Sequence, residues 1–227
     1  MNRFLLLIFA LLLSACNSFT YIADDKVDNS PSKLKLDVPF TTQAPNANWD
    51  DPYQEACEEA SLIMVHSYLS NIDLNIENSD EMILNLIKWE KENSYAQDVT
   101  LDQLAMIAEK YYKYETEIIN NPNIDDIKKQ IEKGNPVIVP VAGRNLGNPY
   151  FSGEGPWYHM LVIIGYKGNK FITNDPGTKR GEGYKYNFDV LLDAIHDWTG
   201  VKEEIEAGGR KILVVHMRSE ISEASSK

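Results

Sequence analysis

The chain has 227 residues and a formal net charge of −12 at neutral pH, with 22 basic side chains against 34 acidic ones. This balance argues against a nucleic-acid partner, because phosphate backbones are bound by basic surfaces. The length allows one domain with a sizeable hydrophobic core.

The first residues have the pattern of a bacterial lipoprotein signal. A short apolar run at residues 4–13 follows Arg3 and leads into Leu13–Cys16, whose sequence resembles a lipobox. The run is too short for an ordinary membrane-spanning helix. The lipobox resemblance implies cleavage before Cys16 and lipidation of that cysteine, with a plain signal peptide as the alternative. We therefore expect a signal peptide at residues 1–15 and an extracytoplasmic protein that a lipid anchor attaches to a bacterial membrane.

Composition divides the remaining chain into three parts. Residues 16–35 are polar, contain an Asn-Ser-Pro turn signal and show no hydrophobic period, which predicts a flexible tether. Residues 36–217 carry the periodic apolar pattern and are expected to form one domain. Residues 218–227 are expected to be a polar C-terminal tail.

Within this domain, apolar spacing of three to four residues predicts helices, and β-branched runs predict strands. A capping box at Thr100–Gln103 opens one of the helices. The helices are expected near residues 52–69, 79–92, 101–108, 124–133 and 188–198. The strands are expected near residues 112–119, 136–141, 160–166, 170–174 and 211–216.

Cys57 is the only cysteine expected inside the domain, and it lies near the start of the first helix. Pro52 suits a first helical position, so Cys57 falls within about the first turn, where free backbone N–H groups and the helix dipole favour a thiolate. A nucleophile at a helix N-terminus suits acyl transfer, whereas the alternative is a small buried hydrophobe. If Cys16 is lipidated, Cys57 has no disulfide partner, which favours the reactive role.

Three acidic residues, Glu55, Glu58 and Glu59, surround this candidate nucleophile in the sequence. Like charges oppose the formation of a thiolate. We therefore expect at least some of these carboxylates to face solvent or to meet a cation.

A long irregular segment at residues 143–158 ends directly on His159, which begins an apolar strand. Loops of this length inside a compact domain are usually functional or disordered. Trp157 and Tyr158, at the end of the segment, are our candidates for contact with a substrate.

A predicted hairpin brings a second candidate group toward His159. Its turn lies near residues 167–169, so the ends of its two strands meet at one edge of the sheet. His159 can then be met by Asp175, if paired residue numbers have an even sum, or by Asn174, if the sum is odd. Together with Cys57, either residue would complete a set of nucleophile, general base and imidazole-orienting group.

Four short blocks, taken in chain order, carry a family resemblance. They are Val38–Gln43, Tyr53–Ser61, His159–Tyr166 and Asn174–Pro176, and the match spans about residues 36–217. In this order they resemble the cysteine peptidases that process bacteriocin leaders. The resemblance implies an α+β, papain-like fold in which N-terminal helices carrying the cysteine pack on an antiparallel sheet carrying the histidine and the aspartate.

The resemblance also implies catalytic roles. Cys57 corresponds to the nucleophile, His159 to the base and Asp175 to the residue that orients the imidazole. It therefore favours Asp175 over Asn174 as the partner of His159.

The chain departs from the family pattern at two positions. Glu58 stands where the family often has glycine, and Asp51 stands where it usually has a glutamine that stabilises the oxyanion. We assign that role to Gln54, with Gln43 as the alternative, and expect the backbone N–H of Cys57 to be the other donor.

These observations together predict a lipid-anchored, extracytoplasmic thiol peptidase that hydrolyses peptide bonds of a peptide or protein substrate through a Cys-His-Asp triad. One alternative is a cell-wall amidase or transpeptidase on the same fold. Another is a non-catalytic peptide-binding lipoprotein. No cofactor is expected, and no metal is predicted, because one thiol and scattered histidines offer no ligand spacing.

Overall fold

A computed structural model describes residues 31–218 of the chain. The predicted signal peptide, the lipidation site Cys16 and residues 219–227 of the predicted tail lie outside the described residues. The helices are α1 Cys57–Ser70, α2 Ile76–Glu92, α3 Leu101–Tyr111, α4 Ile124–Glu132 and α5 Phe188–Ala194. The strands are β1 Lys33–Lys35, β2 Glu115–Asn120, β3 Val137–Ala142, β4 Tyr158–Lys167, β5 Lys170–Asn174, β6 Tyr184–Asn187 and β7 Lys211–His216.

Side-chain caps fix where several helices begin. The predicted capping box of α3 is confirmed, since Thr100 and Gln103 bond each other's backbone N–H groups. Asn75 caps α2 in the same way, which is why that helix begins three residues earlier than the apolar spacing alone indicates. None of the helices within residues 31–218 has the length and hydropathy that crossing a bilayer requires.

The strands form one antiparallel sheet in the order β2-β7-β3-β4-β5-β6, with β1 also paired to β4. Helices α1, α2 and α3 cover one face of the sheet, where they pack against Met160 and Val162 of β4. Helices α4 and α5 cover the other face, where they pack against Leu161 and Ile163. Because β3 and β4 are buried on both faces, their sequences are continuous apolar runs rather than alternating ones. The expected α+β fold is confirmed.

A β-bulge interrupts the hairpin formed by β4 and β5. Near the turn Gly165 pairs with Ile172, whereas beyond the bulge Val162 pairs with Asn174, so Ile164 is an extra residue on β4. The sum of paired residue numbers is odd near the turn and even beyond the bulge, where His159 lies. Residues with an even sum share a face of the sheet, so the residue that follows β5 on the face of His159 is Asp175.

The first strand, β1, lies inside the segment that was interpreted as a tether ending at residue 35. Lys33–Lys35 pairs with residues 165–167 of β4. Gly165 makes this pairing possible, because a Cβ at that position would clash with the carbonyl oxygen of Leu34. The ordered domain therefore begins a few residues earlier than the composition indicated.

Candidate active site

Cys57 is the first residue of α1, and a short 3₁₀ turn at Tyr53–Glu55 leads into it. Pro52 precedes this turn, so it does not occupy the first helical position that the sequence suggested. The side-chain amide of Gln43 donates to the carbonyls of Tyr53 and Gln54, at 2.9 Å each, and holds the turn apart from the helix. The break places Cys57 itself at the helix N-terminus, where backbone N–H groups lack helical partners.

The thiol of Cys57 is buried and donates to a neighbouring carboxyl group. Its Sγ lies 2.9 Å from Oε2 of Glu58, and Oε1 of Glu58 accepts the backbone N–H of Val99 at 3.2 Å. Burial, followed by the charge of Glu58, raises the pKa of Cys57 well above its usual value, although the N–H of Met160 acts in the opposite direction. The helix terminus favours a thiolate, but in this structure burial and the adjacent carboxyl outweigh it.

The acidic residues around Cys57 do not meet the expectation drawn from the sequence. Glu58 and Glu59 are both buried, and only Glu55 keeps substantial contact with solvent. Burial, together with the charge of Glu59, raises the pKa of Glu58 well above its usual value. No cation pairs with Glu58 or Glu59 within residues 31–218, and burial raises the pKa of both carboxyl groups.

A second buried pair lies at the end of the hairpin. Nε2 of His159 lies 2.8 Å from Oδ1 of Asp175, and both side chains are almost completely buried. The other oxygen of Asp175 accepts from the Tyr186 hydroxyl at 2.6 Å and from Asn148 at 3.3 Å, and the N–H of Gly177 donates to Oδ1. Burial alone would raise the pKa of Asp175, but the charge and hydrogen bond of His159, together with the other donors, lower it.

This arrangement fixes the orientation of the imidazole. An ionised acceptor at Nε2 holds the ring proton on that nitrogen, so Nδ1 is the basic nitrogen of the neutral ring. Phe151 packs edge-on against the ring with centroids 5.4 Å apart. Gly177 faces the ring so closely that a Cβ there would lie 2.8 Å from Cε1 of His159.

The structure also shows why Asn174 does not take the role of Asp175. Its amide donates to the carbonyl of Val38 at 3.0 Å, and its carbonyl oxygen accepts the N–H of Gly183. Asn174 therefore ties β5 to the segment that precedes the cysteine helix.

Cys57, at the start of α1, lies near the residue of β4 that directly follows His159. The pairing of β4 with β5 ends at Val162, so β4 is unpaired along that edge from residue 161 back to 158. The N–H of Met160, directly after His159, is directed toward the thiol of Cys57. Within residues 31–218 the thiol hydrogen-bonds Glu58 and forms no such bond with the imidazole.

The two glutamines that were considered for the oxyanion differ in environment. Gln43 is buried, both N–H groups of its amide are engaged by the turn before Cys57, and its Oε1 has no partner. Gln54 is exposed, and among the described residues its side chain makes no hydrogen bond. The amide that is free to act is therefore that of Gln54.

The two aromatic residues predicted to touch a substrate are also placed differently. Tyr158 is buried, and its hydroxyl donates to the carbonyl of Val99 at 3.0 Å. Trp157 is half-buried, with the guanidinium carbon of Arg144 3.6 Å from its ring centroid. Tyr158 thus supports the segment that binds Glu58, and Trp157 keeps some exposed surface.

Four side chains or backbone groups of this site were not found from the sequence. Asn148, Phe151, Gly177 and Tyr186 all contact the histidine or its carboxylate partner. The glycine that follows Pro176 could have indicated the contact of Gly177, because a glycine often marks a position where another group approaches the backbone closely. Within residues 31–218 no group of three or more potential ligands could hold a metal ion.

Comparisons with known proteins agree with this fold. A crystal structure of a C39-like peptidase from Bacillus anthracis superposes with a TM-score of 0.52 and 16% sequence identity, covering 82% of this chain and 99% of that one. This likeness supports the papain-like fold. No curated protein matches the chain. The peptidase C39-like family matches residues 35–204, which is most of the domain. The chain therefore belongs to the peptidase C39-like family, whose members are expected to be peptidases.

Proposed function

We propose that this protein is a cysteine peptidase in which Cys57 is the nucleophile, His159 the general base and Asp175 the group that orients the imidazole. The observation that carries the proposal is the buried His159–Asp175 pair, fixed beside the strand residue whose N–H faces the Cys57 thiol. Thiol peptidases need an unpaired cysteine at a helix N-terminus together with an oriented imidazole, and this chain has both.

The reaction follows from these positions. Nδ1 of His159 accepts the thiol proton, and the thiolate of Cys57 attacks the carbonyl carbon of the substrate. The tetrahedral intermediate then collapses, the C–N bond breaks, and the imidazolium gives its proton to the leaving amine. Water, deprotonated by His159, attacks the resulting thioester and releases the carboxylic acid and the thiol. Asp175 stays ionised and stabilises the imidazolium at each stage.

The proposal requires the thiol to exchange one partner for another. Its hydrogen is directed at Glu58 in this structure, and it must turn to Nδ1 of His159 before attack. The structure therefore corresponds to a resting state, in which Glu58 holds the nucleophile as a thiol.

The oxyanion of the intermediate needs two donors. We assign the backbone N–H of Cys57 and the side-chain amide of Gln54, because the amide of Gln43 is already engaged. Gln43 then stabilises the turn before Cys57 through its two hydrogen bonds and does not contact the substrate.

A cleft on the side of His159 offers a place for the substrate. It has a volume of about 570 Å³ and is bounded by Trp49, Tyr150, Phe151, Gly177 and Arg180. The aromatic rings of Trp49 and Tyr150 are partly exposed there, and Phe151 contacts the imidazole. A peptide laid in this cleft would lie against Phe151 and Gly177, the two residues of its wall that pack on the imidazole of His159.

Substrate profiling of the purified protein tests the enzymatic proposal. We expect wild type to cleave a subset of a peptide library and Cys57→Ala to cleave none, because no other thiol is available inside the domain. Fragments would be identified by mass spectrometry, and circular dichroism would verify that the variant is folded. Equal cleavage by Cys57→Ala would exclude the thiol mechanism.

We propose further that a lipid at Cys16 holds the protein on the outer side of a bacterial membrane, on the strength of the Leu13–Cys16 motif. Cys16→Ala should move the protein from the membrane fraction to the soluble fraction. A single acyl chain binds a membrane only marginally, so stable attachment requires the several chains that a lipobox implies. Failure of wild type to incorporate a labelled fatty acid would refute lipidation.

A further inference from the structure

One end of the sheet, opposite to the end of β4 that carries His159, presents a group of basic side chains on a single face. They belong to β1, β4, β5 and β6, the four strands that meet around the hairpin turn. All of them are exposed, and they are Lys33, Lys35, Lys167, Lys170 and Lys185. We refer to these five residues as the lysine face.

The strand register places the five side chains in two neighbouring rows. In one row Lys33 is paired with Lys167, and Lys167 is paired with Lys170. In the next row Lys35 and Lys185 lie at the two ends. Because paired residues, and residues two apart on one strand, share a face of the sheet, all five side chains point to the same side.

The charge of the lysine face is not balanced by the protein. Within residues 31–218 none of the five lysines forms an ion pair, and the two rows contain no acidic residue. Like charges on paired positions destabilise a sheet. Lysines on the edge strands β1 and β6 can protect an edge, but Lys167 and Lys170 lie on inner strands. In a chain with 34 acidic and 22 basic residues, this concentration of one sign suggests an anionic ligand.

An open depression of about 610 Å³ lies among these side chains. Four of the five lysines line it, together with Ser32 and the turn residues Gly168 and Asn169. Ammonium groups are donors without acceptor capacity, and no carboxylate in the lining competes for them. The depression therefore suits a phosphate-bearing group.

We propose that the lysine face binds the anionic phospholipid headgroups of the membrane to which a lipid at Cys16 attaches the chain. This inference rests on the proposed lipid attachment and adds the surface through which the domain meets the membrane. Lys33 follows Cys16 by 17 residues, which span at most about 60 Å. The chain thus enters the domain at the lysine face, and basic side chains held close to an anionic bilayer are attracted to it.

The same docking fixes the direction in which the candidate active site faces. His159 and Lys167 are eight residues apart on β4, which corresponds to about 25 Å along the strand. With the lysine face on the bilayer, the His159 end of the sheet is turned toward the aqueous side. The proposed peptidase would then act on peptides outside the bilayer.

Vesicle binding by the chain without its lipid tests the proposal. The chain from residue 16 onward, carrying Cys16→Ala, is sedimented with vesicles of phosphatidylcholine, with or without phosphatidylglycerol. We expect binding that rises with the phosphatidylglycerol content and falls when salt is added, although the chain as a whole is acidic. Equal binding to both kinds of vesicle, or none to the anionic ones, would overturn the proposal. Release by inorganic phosphate, but not by chloride of equal ionic strength, would overturn the lipid assignment in favour of a free phosphate ion.

Two double variants with the same change of charge assign the binding to the lysine face. Lys167→Gln with Lys170→Gln should lower the partition coefficient about 25-fold, because each lysine near an anionic surface contributes about five-fold. Lys88→Gln with Lys202→Gln is the matched control, since both of these lysines are exposed and lie outside the sheet. The control should leave the coefficient nearly unchanged. An equal loss in both double variants would reveal a general effect of net charge and overturn the assignment.

A fluorescent label reports the direction of docking. In a chain that carries Cys16→Ala and Cys57→Ala, an environment-sensitive dye is attached after Asn169→Cys, in the hairpin turn, or after Ser152→Cys, in the cleft beside His159. Anionic vesicles should brighten the dye at position 169 and leave the dye at position 152 unchanged. Brightening at position 152 alone would contradict the proposed orientation.

Fatty-acid labelling of wild type separates this inference from the lipid attachment on which it rests. Incorporation of the fatty acid without any preference of the unlipidated chain for anionic vesicles would refute the lysine face and leave the attachment intact. A preference for anionic vesicles without incorporation would support the lysine face and refute the attachment. Neither measurement requires peptidase activity.

Discussion

The two halves of the active site bury ionisable groups with opposite results. Asp175 is fully buried yet stays ionised, because His159, Tyr186, Asn148 and Gly177 all direct hydrogen atoms at its oxygens. Glu58 is equally buried but has only a thiol and one backbone N–H as partners, and its pKa rises. Burial alone therefore does not decide the charge of a carboxyl group.

The comparison indicates that the two halves of the site differ in how closely they match the arrangement needed for catalysis. In the proposed mechanism, His159 and Asp175 already have the arrangement that a base and its orienting carboxylate need, because the imidazole is fixed by Asp175. The proposed nucleophile, Cys57, lies next to a carboxyl group that opposes its ionisation. Variants of each half should therefore act in opposite directions.

The largest expected effect on kcat comes from a variant of the His159–Asp175 pair. Asp175→Ala should lower kcat by roughly 10³ with little change in KM, somewhat less than the 10⁴ known for the aspartate of a serine peptidase, because a thiol depends less on its base. Asn174→Ala should lower stability but keep most of kcat, since Asn174 bonds Val38. Steady-state kinetics of both variants on one substrate provide the measurement. A crippled Asn174 variant with an active Asp175 variant would show that the hairpin register is wrong.

The next effect separates the two glutamines beside the nucleophile. Gln54→Ala should lower kcat by about 10², as removal of an oxyanion donor does, and should leave the melting temperature unchanged because the side chain is exposed. Gln43→Ala should instead lower the melting temperature, since it removes two hydrogen bonds from a buried turn. Kinetics and thermal unfolding on the same preparations measure both. The reverse pattern would assign the oxyanion to Gln43.

The smallest expected effect is an increase, namely in the reactivity of the Cys57 thiol when Glu58 is replaced. Glu58→Gln should lower the pKa of Cys57 and so raise the rate of its alkylation at pH 7 about ten-fold. The amide cannot acquire the negative charge that opposes the thiolate, and its N–H group can donate to the sulfur. Alkylation by iodoacetamide between pH 5 and 9 measures the shift, with Glu92→Gln, at an exposed position, as the control. A thiol that reacts no faster in Glu58→Gln than in the control would contradict the resting-state interpretation.

Much of the fold could be predicted from local patterns. The capping box at Thr100–Gln103 and the return of β5 after its turn appear in the structure at the expected residues. These features depend on neighbouring residues along the chain, which is why the sequence reveals them. The placement of Cys57 at a helix start was also predicted, although the 3₁₀ turn moves that start past Pro52.

The features that could not be predicted depend on contacts between distant segments. The bulge at Ile164 leaves no mark in an apolar strand that is buried on both faces, so residue alternation could not reveal the register. The burial of Glu58 depends on Val99, which lies 41 residues away and supplies the N–H that the carboxyl group accepts. A charged residue next to a thiol gives no sign that the fold will enclose it.

The bulge at Ile164 has a genetic consequence. Deletion of that codon would remove the one residue of β4 that has no partner on β5, so the pairs on both sides of it would be kept and Asp175 would stay on the face of His159. Closure of the bulge with every residue retained would instead continue the odd sum of paired residue numbers along β4 and bring Asn174 to the imidazole. In this fold, a three-nucleotide deletion at the bulge is therefore expected to be milder than a rearrangement of the backbone that changes no residue.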